Sequence, residues 1–330
     1  MTRLIYIEDA LGGHPRAQRI LARFPQATRV GCARYTEVFN PRAQNFRLQK
    51  RDPALLLAHK HRRLVLPAPP GYGIGGTHNY YFSHMLNCVY DCRYCFLQGM
   101  FRSAHYVVFV NYEDFATAID STLARHDGDH CWFFSGYDCD SLAYDPVTGF
   151  AEWALECFAR RPRAHLELRT KSTQIRSLLA REPLPNVVVA FSFTPASAHA
   201  ALEHKVPSLN KRLAALRKLA DAGWRIGLRF DPLIYSAGYA ADYRQLFEQV
   251  FAAVPGSSVH SVSFGAFRLP RDFFKTLVSL YPREPLFAGP LDTAAATIGY
   301  RNDLEAELLD FCEVQLRDWV EADRLFRCLP

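Results

Sequence analysis

Three cysteines stand close together in the first third of the chain. Cys88, Cys92 and Cys95 have the spacing C-x3-C-x2-C, which places three thiols on one short loop. Three thiolates can ligate three irons of a [4Fe-4S] cluster, and the missing fourth ligand leaves one iron free to bind a substrate or a cofactor. The spacing therefore predicts an iron–sulfur site with one open coordination position.

Two other interpretations of these cysteines remain open. In the first, the three thiols are buried and bind nothing, since a free cysteine commonly packs as a small hydrophobic side chain. In the second, they form a structural zinc site. A closed zinc site takes four ligands, so His84 or Cys32 would have to complete it. The zinc interpretation makes the chain a non-catalytic nucleic-acid-binding protein.

A second group of polar residues lies at or just beyond the ends of predicted strands. Its members are Ser141, Lys171, Ser192 and Asp231. The carboxyl ends of the strands of a βα barrel meet at one mouth, where such barrels build their active sites. We therefore expect these side chains to converge, although Asp231 precedes Pro232 and a role in a turn is an equal alternative for it.

The composition excludes several classes of protein. The chain has 330 residues, of which 49% are hydrophobic and 22% charged, as in ordinary globular proteins. Its longest apolar run, 187–193, is far shorter than the ~20 residues that cross a bilayer. Acidic residues interrupt segment 1–13 where a signal peptide would continue its apolar region, so we expect a cytoplasmic protein. Nine cysteines are odd in number and too few for a disulfide scaffold.

The net charge of +6 favours an anionic partner, but it is well below the charge of a dedicated nucleic-acid-binding protein. Contacts to a nucleic-acid backbone would come from basic clusters, each of which can equally be a solvated helix face. The candidates are segment 59–63, Arg160, Arg161, Arg163, Lys211, Arg212 and Arg301.

Strands and helices alternate from Thr77 onward, which is typical of βα units with a parallel sheet. The pattern predicts an α/β fold with a partial (βα)6 barrel, an N-terminal α/β unit and a C-terminal helical extension. A stretch rich in proline and glycine, 67–76, marks the first boundary. The predicted strands are 79–83, 131–135, 165–170, 187–193, 225–230 and 259–264. The predicted domains are 1–75, 76–280 and 281–330.

The cysteine motif resembles that of the radical S-adenosylmethionine (SAM) enzymes, and most of the chain is similar to the spore photoproduct lyase family. Segment 136–142 resembles the end of the family's second barrel strand, and 169–171, 191–193 and 211–235 also match. The family signature C-x3-C-x-Y-C-(Y/F)-L-Q is matched by Cys88, Cys92, Tyr94, Cys95, Phe96, Leu97 and Gln98.

The resemblance implies a barrel of the radical SAM type in which the three cysteines hold a [4Fe-4S] cluster and the open iron binds SAM. It implies that Lys171 binds the SAM carboxylate, a charge-assisted contact, with Ser141 and Ser192 as polar contacts. In such enzymes the reduced cluster cleaves SAM to a 5′-deoxyadenosyl radical. An external electron donor such as flavodoxin or ferredoxin is implied as well.

The resemblance also implies a carbon–carbon lyase that repairs a thymine dimer in DNA. Cys139 falls at the position of the family's hydrogen donor, and a thiol can give a hydrogen atom to a carbon radical. Tyr94, the tyrosine of the signature, is the second catalytic candidate. Tyr300 and Arg301 are candidates for stacking on a base and contacting a phosphate.

Three features depart from the family pattern. Phe96 stands where these lyases often have a tyrosine, and it has no hydroxyl to relay hydrogen. Asp138 precedes Cys139 and is expected to raise the pKa of its thiol. Segment 292–301 is alanine-rich where the lyases carry an aromatic and basic wedge for unstacking bases. These departures favour a second hypothesis, in which the same chemistry acts on an RNA base, a peptide or a small molecule.

Overall fold

The computed structural model describes residues 2–328, and its regular elements are numbered in chain order. The strands are β1 (Leu4–Glu8), β2 (Thr28–Cys32), β3 (Leu55–Ala58), β4 (Leu66–Pro67), β5 (His78–Phe82), β6 (Met85–Leu86), β7 (Asp91–Cys92), β8 (Tyr106–Phe109), β9 (Cys131–Ser135), β10 (Ala164–Thr170), β11 (Val187–Ser192), β12 (Glu203–His204), β13 (Arg225–Leu233), β14 (Val259–Ala266), β15 (Arg268–Pro270), β16 (Leu291–Ala294), β17 (Thr297–Tyr300) and β18 (Leu325–Arg327). The helices are α1 (Pro15–Ala22), α2 (Phe46–Arg51), α3 (Leu97–Met100), α4 (Tyr112–Leu123), α5 (Asp145–Thr148), α6 (Phe150–Ala159), α7 (Arg176–Leu179), α8 (Ala196–Leu202), α9 (Leu209–Asp221), α10 (Tyr239–Phe251), α11 (Arg271–Leu280) and α12 (Asn302–Arg317).

The largest sheet is a curled half-barrel of eight strands in the order β18-β14-β13-β11-β10-β9-β5-β4. All neighbours are parallel except β4 and β5. The six predicted strands are β5, β9, β10, β11, β13 and β14, and they are consecutive in this sheet. The predicted α/β partial barrel is therefore confirmed.

The sequence explains why these segments pair in parallel. β9 reads CWFFS and β11 reads VVVAFS, and every residue of both strands is buried. Strands covered on both faces are continuous apolar runs, whereas half-exposed strands alternate. The intervening helices turn one apolar face to the sheet; α9, for example, buries Leu216 and Leu219 and ends before Gly223, whose φ is +88°. Among residues 2–328, no helix has the length and apolarity needed to cross a membrane.

The C-terminal extension is not purely helical. The long helix α12 is present, but the antiparallel hairpin β16–β17 precedes it and the short strand β18 follows it. β18 pairs in parallel with β14 and so adds a seventh parallel strand to the barrel. Three residues are too few to show a periodic pattern, so only the pairing with β14 identifies them as a strand.

The N-terminal sheet has five strands in the order β2-β1-β3-β8-β6. β6 and β8 follow residue 76, so this sheet takes strands from both sides of the predicted boundary. The chain thus leaves the first sheet, forms β5 of the barrel and returns to the first sheet before continuing along the barrel. The domain limits at 75 and 280 stay a prediction.

A buried ion pair crosses the inner strands of the barrel. The carboxylate Oε2 of Glu167 on β10 lies 2.7 Å from Nη2 of Arg229 on β13, across β11. Arg169 Nε donates to the Glu167 carboxylate at 2.8 Å. Burial alone would raise the pKa of Glu167, but the charges of Arg229 and Arg169 outweigh it and lower this pKa to about 2. The carboxylate is therefore ionised and fully compensated.

We expect Glu167→Gln to lower the free energy of unfolding by about 3–5 kcal/mol, because it leaves the buried Arg229 charge without its partner. Chemical denaturation followed by circular dichroism measures the change. The matched control is Glu156→Gln, which removes the exposed ion pair with Arg160 and should leave unfolding unchanged within error. Equal effects of the two substitutions would contradict the structural importance of the buried pair.

Candidate active site

A cavity of ≈ 420 Å³ opens at the carboxyl ends of the barrel strands. This volume falls within the range of small-molecule and cofactor sites. Aromatic rings, basic groups and thiols line it together. Its lining includes most of the residues that the sequence singled out: Cys88, Cys92, Tyr94, Cys95, Phe96, Cys139, Lys171, Ser192 and Asp231.

The loop that carries the three cysteines is held at its start by Asn87. The φ of this residue is +65°, a left-handed conformation that asparagine tolerates better than most residues do. Its side-chain Nδ2 donates to the carbonyl of Ser103 at 2.8 Å and to that of His105 at 2.7 Å. The loop therefore begins from a fixed turn against the segment 103–105 that directly precedes β8.

Two further contacts hold the loop from either side. The buried Lys50, from α2 of the N-terminal unit, donates through Nζ to the carbonyl oxygens of Cys88 (3.3 Å) and Tyr90 (3.1 Å). On the barrel side, β7 pairs with β12, which brings Cys92 opposite Glu203. The cysteine loop thus bridges the N-terminal unit and the barrel.

The three thiols fit a [4Fe-4S] cluster. They are free cysteines on the wall of one cavity, and the backbone N–H of Tyr90 points at Cys88 Sγ from 3.4 Å. N–H donors to the sulfurs are among the contacts that tune such clusters. Within residues 2–328, no three His, Cys, Asp or Glu side chains gather as the ligands of a single metal ion would.

The structure disfavours the zinc alternative, because neither proposed fourth ligand is available. Cys32 lies on β2, at the opposite edge of the N-terminal sheet from β6 and the cysteine loop. The ring of His84 stacks on Phe150 at 3.6 Å, and its Nδ1 lies 3.9 Å from the sulfur of Cys139. Burial lowers the pKa of His84 to about 3.

The carboxylate of Glu203, which the sequence did not single out, organises one side of the cavity. It lies 2.9 Å from Arg212 Nη2 and 2.8 Å from His199 Nδ1, and it accepts a hydrogen bond from the hydroxyl of Tyr94. Lys171 Nζ stands 4.0 Å away. Burial alone would raise the pKa of Glu203, but the His199 hydrogen bond and the Lys171 and Arg212 charges lower it to about 2. Tyr94 is therefore a buried hydrogen-bond donor at this carboxylate.

Two arginines of the predicted basic clusters have structural roles. Arg212 is fully buried, and its Nη1 donates to the carbonyl of Ser192 at 2.8 Å. Arg161 forms a two-pronged contact with the carboxylate of Asp120, at 2.7 Å for each bond. The sequence showed their charge but not these partners. Neither guanidinium is a free contact for a nucleic-acid backbone.

Asp140 joins the two loops at the centre of the mouth. Its carboxylate accepts hydrogen bonds from the hydroxyl of Thr170 at 2.7 Å and the backbone N–H of Lys171 at 2.6 Å. It also accepts from the backbone N–H groups of Leu142 (2.9 Å) and Ala143 (2.8 Å). The loop after β9 is thereby locked to the loop after β10, which fixes where Lys171 enters the cavity.

Cys139 is buried, with 5% of its surface exposed, but it lines the cavity. The carboxylate of the neighbouring Asp138 accepts a hydrogen bond from the hydroxyl of Ser83 at 2.6 Å. Burial raises the pKa of the Cys139 thiol well above its ordinary value, and the Asp138 charge raises it further. Asp138 thus acts on the pKa of the Cys139 thiol in the expected direction.

The structure does not bring every predicted residue to the cavity. Ser141 is fully buried, and its hydroxyl lies 2.8 Å from that of Ser135, behind the cavity wall. Tyr300 is 4% exposed and accepts a hydrogen bond from the backbone N–H of Tyr235 at 2.9 Å. Arg301 is exposed on the surface. Tyr300 is a core residue, because it packs under the segment that follows β13.

The sequence analysis missed the part of the cavity lining that lies at the C-terminal strand β18. Cys328 follows β18, and its backbone N–H donates to the carbonyl of Phe264 at 2.7 Å. It lines the cavity together with Arg268, whose Nη1 lies 3.2 Å from the carboxylate of Asp231. No sequence motif marks Cys328, since only the pairing of β18 with β14 brings it to the mouth.

A parallel half-barrel that carries a loop of three cysteines at its mouth defines the radical SAM type of fold. The family model for spore photoproduct lyase matches residues 77–286, well over half of the chain. The chain belongs to the spore photoproduct lyase family.

Curated relatives agree with this family. A spore photoproduct lyase of Bacillus subtilis (strain 168) is 27% identical over 178 residues, which are 54% of this chain and 52% of the relative. A spore photoproduct lyase of Geobacillus sp. (strain Y412MC61) is 24% identical over 205 residues, or 60% of this chain and 59% of the relative. The chain spans about half the length of the curated relatives it matches.

Solved structures show the same fold. A spore photoproduct lyase variant with bound AdoMet and dinucleoside spore photoproduct superposes with a TM-score of 0.87 at 18% identity, covering 100% of this chain and 98% of that one. Another variant with dinucleoside spore photoproduct gives a TM-score of 0.86 over the same coverage, also at 18% identity. The likeness extends over the N-terminal sheet and the C-terminal strand as well as the barrel.

We expect Gly136→Ala to displace the loop that carries Cys139. The φ of Gly136 is +84°, and an added Cβ would lie 2.6 Å from Ser141 Oγ and 3.1 Å from the Arg169 carbonyl. Gly149→Ala is the matched control, because φ is +62° there but nothing lies within 4 Å of the added carbon.

Both substitutions carry the left-handed strain of about 1–2 kcal/mol, and only Gly136→Ala adds the clash. Denaturant unfolding should show the larger loss for Gly136→Ala, and a thiol reagent should modify Cys139 faster in that variant. Equal behaviour of the two variants would show that this loop is not tightly packed.

Proposed function

We propose that this protein is a radical SAM enzyme that reverses a thymine dimer of the spore photoproduct type in DNA. The observation that carries the proposal is the gathering of three cysteines, Lys171 and Cys139 on the walls of one cavity at the barrel mouth. Family membership supports the same activity. The proposal includes a one-electron donor such as flavodoxin or ferredoxin.

The proposal also includes a cytoplasmic location. All nine cysteines are free in the structure, several of them in the core. Free thiols persist in a reducing compartment, whereas secreted proteins commonly pair them.

Cys88, Cys92 and Cys95 would hold the cluster. When bound, a [4Fe-4S] cluster supplies the electron that cleaves SAM and so starts hydrogen abstraction from the substrate. The protein contributes a loop that is anchored at both sides and is partly shielded from water. Its thiols need no rearrangement to face the cavity, since all three already line it.

Lys171 and Ser192 are the proposed SAM contacts. The ammonium of Lys171 suits the carboxylate of SAM, and a charge-assisted contact of this type is about twice as strong as a neutral one. Glu203, 4.0 Å away, keeps the ammonium near the cavity without a close hydrogen bond to it. Ser141 does not line the cavity and is not a proposed SAM contact. It instead supports the loop that carries Cys139 through its contact with Ser135.

Cys139 is the proposed hydrogen donor. After the bond between the two thymines breaks, one base carries an unpaired electron and must gain a hydrogen atom. The thiol lies in the cavity wall, and its burial keeps it protonated. Transfer of its hydrogen atom to the base would complete the repaired thymine and leave a thiyl radical on Cys139, which one electron from the proposed donor and a proton would return to the thiol. Tyr94, whose hydroxyl is committed to Glu203, positions the network around Lys171 rather than reaching a base.

A different substrate for the same chemistry is favoured by the hairpin β16–β17. The alanine-rich segment forms this hairpin, and Thr293, Ala294, Ala295 and Ala296 are exposed around its tip. Such small side chains cannot wedge between stacked bases. The observation favours a substrate that needs no unstacking, such as a single-stranded nucleic acid, a peptide or a small molecule.

We expect Cys88→Ala to abolish cluster binding, because the remaining two thiols cannot hold three irons. After anaerobic reconstitution, the variant should lose most of its iron, its acid-labile sulfide and its brown colour. Cys157→Ala, which removes a buried thiol of α6 outside the cavity, should retain all three. Wild-type protein with about one zinc and no sulfide would contradict the cluster.

We expect Cys139→Ala to cleave SAM but to leave the base radical without its hydrogen donor. The base radical should then form adducts instead of repaired thymine. The assay supplies SAM, dithionite and an oligonucleotide whose lesion is labelled at thymine C6. Wild-type protein and Cys157→Ala should move the label into 5′-deoxyadenosine and restore two separate thymines within the strand. Unchanged products in Cys139→Ala would show that Cys139 is not the hydrogen donor. No turnover by wild-type protein would contradict the proposed substrate.

A further inference from the structure

A second cavity, the basic groove, lies outside the active site. Its volume is ≈ 630 Å³, and segment 59–65 and helix α4 form its walls. Six of its lining residues are lysine, arginine or histidine, and the acidic one is Asp114, whose Oδ2 lies 3.2 Å from His59 Nε2. The six are His59, Lys60, His61, Arg62, Arg63 and Arg125.

The arginines of the basic groove have no acidic partner. Arg62 and Arg63 are exposed and form no ion pair or hydrogen bond with any of residues 2–328, and Arg125 donates to the hydroxyl of Thr122 at 3.0 Å. Arg160 and Arg161, by contrast, are paired with carboxylates. The groove therefore carries uncompensated positive charge, which attracts a ligand with several negative charges.

The basic groove is continuous with the active-site cavity along the chain. Segment 59–65 lines the groove, and the next residues form β4, the edge strand of the barrel sheet. Segment 69–72 then lines the active-site cavity. One stretch of chain therefore contributes residues first to the groove and then to the cavity.

A cluster of aromatic rings extends from the cavity to Tyr81 on β5, which pairs with Leu66 directly after segment 59–65; we call this place the junction. The ring centroids of Tyr81 and Tyr137 are 4.3 Å apart, and Tyr137 lies 5.7 Å from Tyr72 and 5.5 Å from Phe96. All four residues are partly exposed. The guanidinium of Arg169 stands 4.7 Å above the ring of Tyr72. Exposed aromatic faces beside positive charge are the combination that binds unpaired bases.

We infer that the basic groove binds the phosphate backbone of the DNA strand that flanks the lesion, while the aromatic rings at the junction receive its bases. This inference rests on the proposed function and names the part of the surface that makes it a nucleic-acid enzyme. It also offers an alternative to the missing wedge: the strand is held by backbone charge and stacking, so the lesion is presented from an already unpaired strand.

The test compares two double variants of equal charge change. Arg62→Glu with Arg125→Glu alters the groove, and Arg23→Glu with Lys218→Glu alters exposed cations that have no ion-pair partner among residues 2–328. Arg63 is left unchanged because its φ of +55° makes it sensitive to substitution. Fluorescence anisotropy measures binding of a single-stranded probe of about 20 nucleotides at several salt concentrations.

We expect the groove variant to bind the probe at least ~10-fold more weakly than wild-type protein, and its salt slope to fall by about 2. The control variant should lose far less affinity. Binding by the groove variant that equals binding by the control variant would overturn the inference. Competition by polyglutamate as effective as that by an oligonucleotide of equal charge would overturn it as well.

A second measurement separates this inference from the proposed function. Dinucleoside spore photoproduct has no flanking phosphates, so the groove variant should turn it over as the control variant does. Failure of wild-type protein to turn over this compound would refute the proposed function while the binding comparison still stands. Equal loss of dinucleoside and oligonucleotide turnover in the groove variant would show that the groove acts on the active site itself.

Discussion

The arrangement of the active site depends on the buried carboxylate of Glu203. Its backbone pairs with that of Cys92, and its side chain contacts Tyr94, Arg212 and Lys171. One residue thereby connects the cysteine loop, a barrel helix and the proposed SAM-binding lysine. A buried charge is costly unless it is fully paired. The contacts of Glu203 meet this condition only when all of these elements are in place, so the carboxylate favours one arrangement of the mouth over others.

Asp140 applies the same principle to the other side of the cavity. Its four hydrogen bonds link the loop that carries Cys139 to the backbone of Lys171. The thiol of Cys139, the proposed hydrogen donor, and the ammonium of Lys171, the proposed SAM contact, are therefore set by one carboxylate, while Lys50 holds the cysteine loop from the N-terminal unit. The N-terminal unit is thus part of the active-site framework, because it supplies a buried cation that binds two carbonyl oxygens of that loop.

The chain keeps the residues proposed to bind the cluster and SAM, and it differs from the family pattern at residues proposed to meet the substrate. The cysteines, Lys171 and Ser192 meet in one cavity, whereas Phe96 has no hydroxyl and the hairpin β16–β17 has a tip of small residues. The ring of Tyr137 lies near both Phe96 and Tyr72. Under the proposed function, these differences favour a common reaction and a distinct way of presenting the nucleic acid to it.

Local patterns in the sequence determined the elements that depend on neighbours along the chain. The C-x3-C-x2-C spacing, the apolar runs of β9 and β11 and the stripe of leucines on α9 each lie within a few residues, so they could be recognised directly. The six parallel strands and the cysteine loop followed from such patterns. The polar residues after the strands were expected at one mouth because parallel strands share an edge.

Only the tertiary structure decided which of those polar residues face the cavity. Ser141 and Tyr300 have suitable chemistry, but packing turns the first behind the wall and the second into the core. Arg212 looks like a surface cation until Glu203, from a segment outside its helix, is placed against it. Cys328 reaches the mouth through the pairing of a three-residue strand. Contacts between residues distant in the chain leave no periodic trace, because neither side chain alone signals its partner.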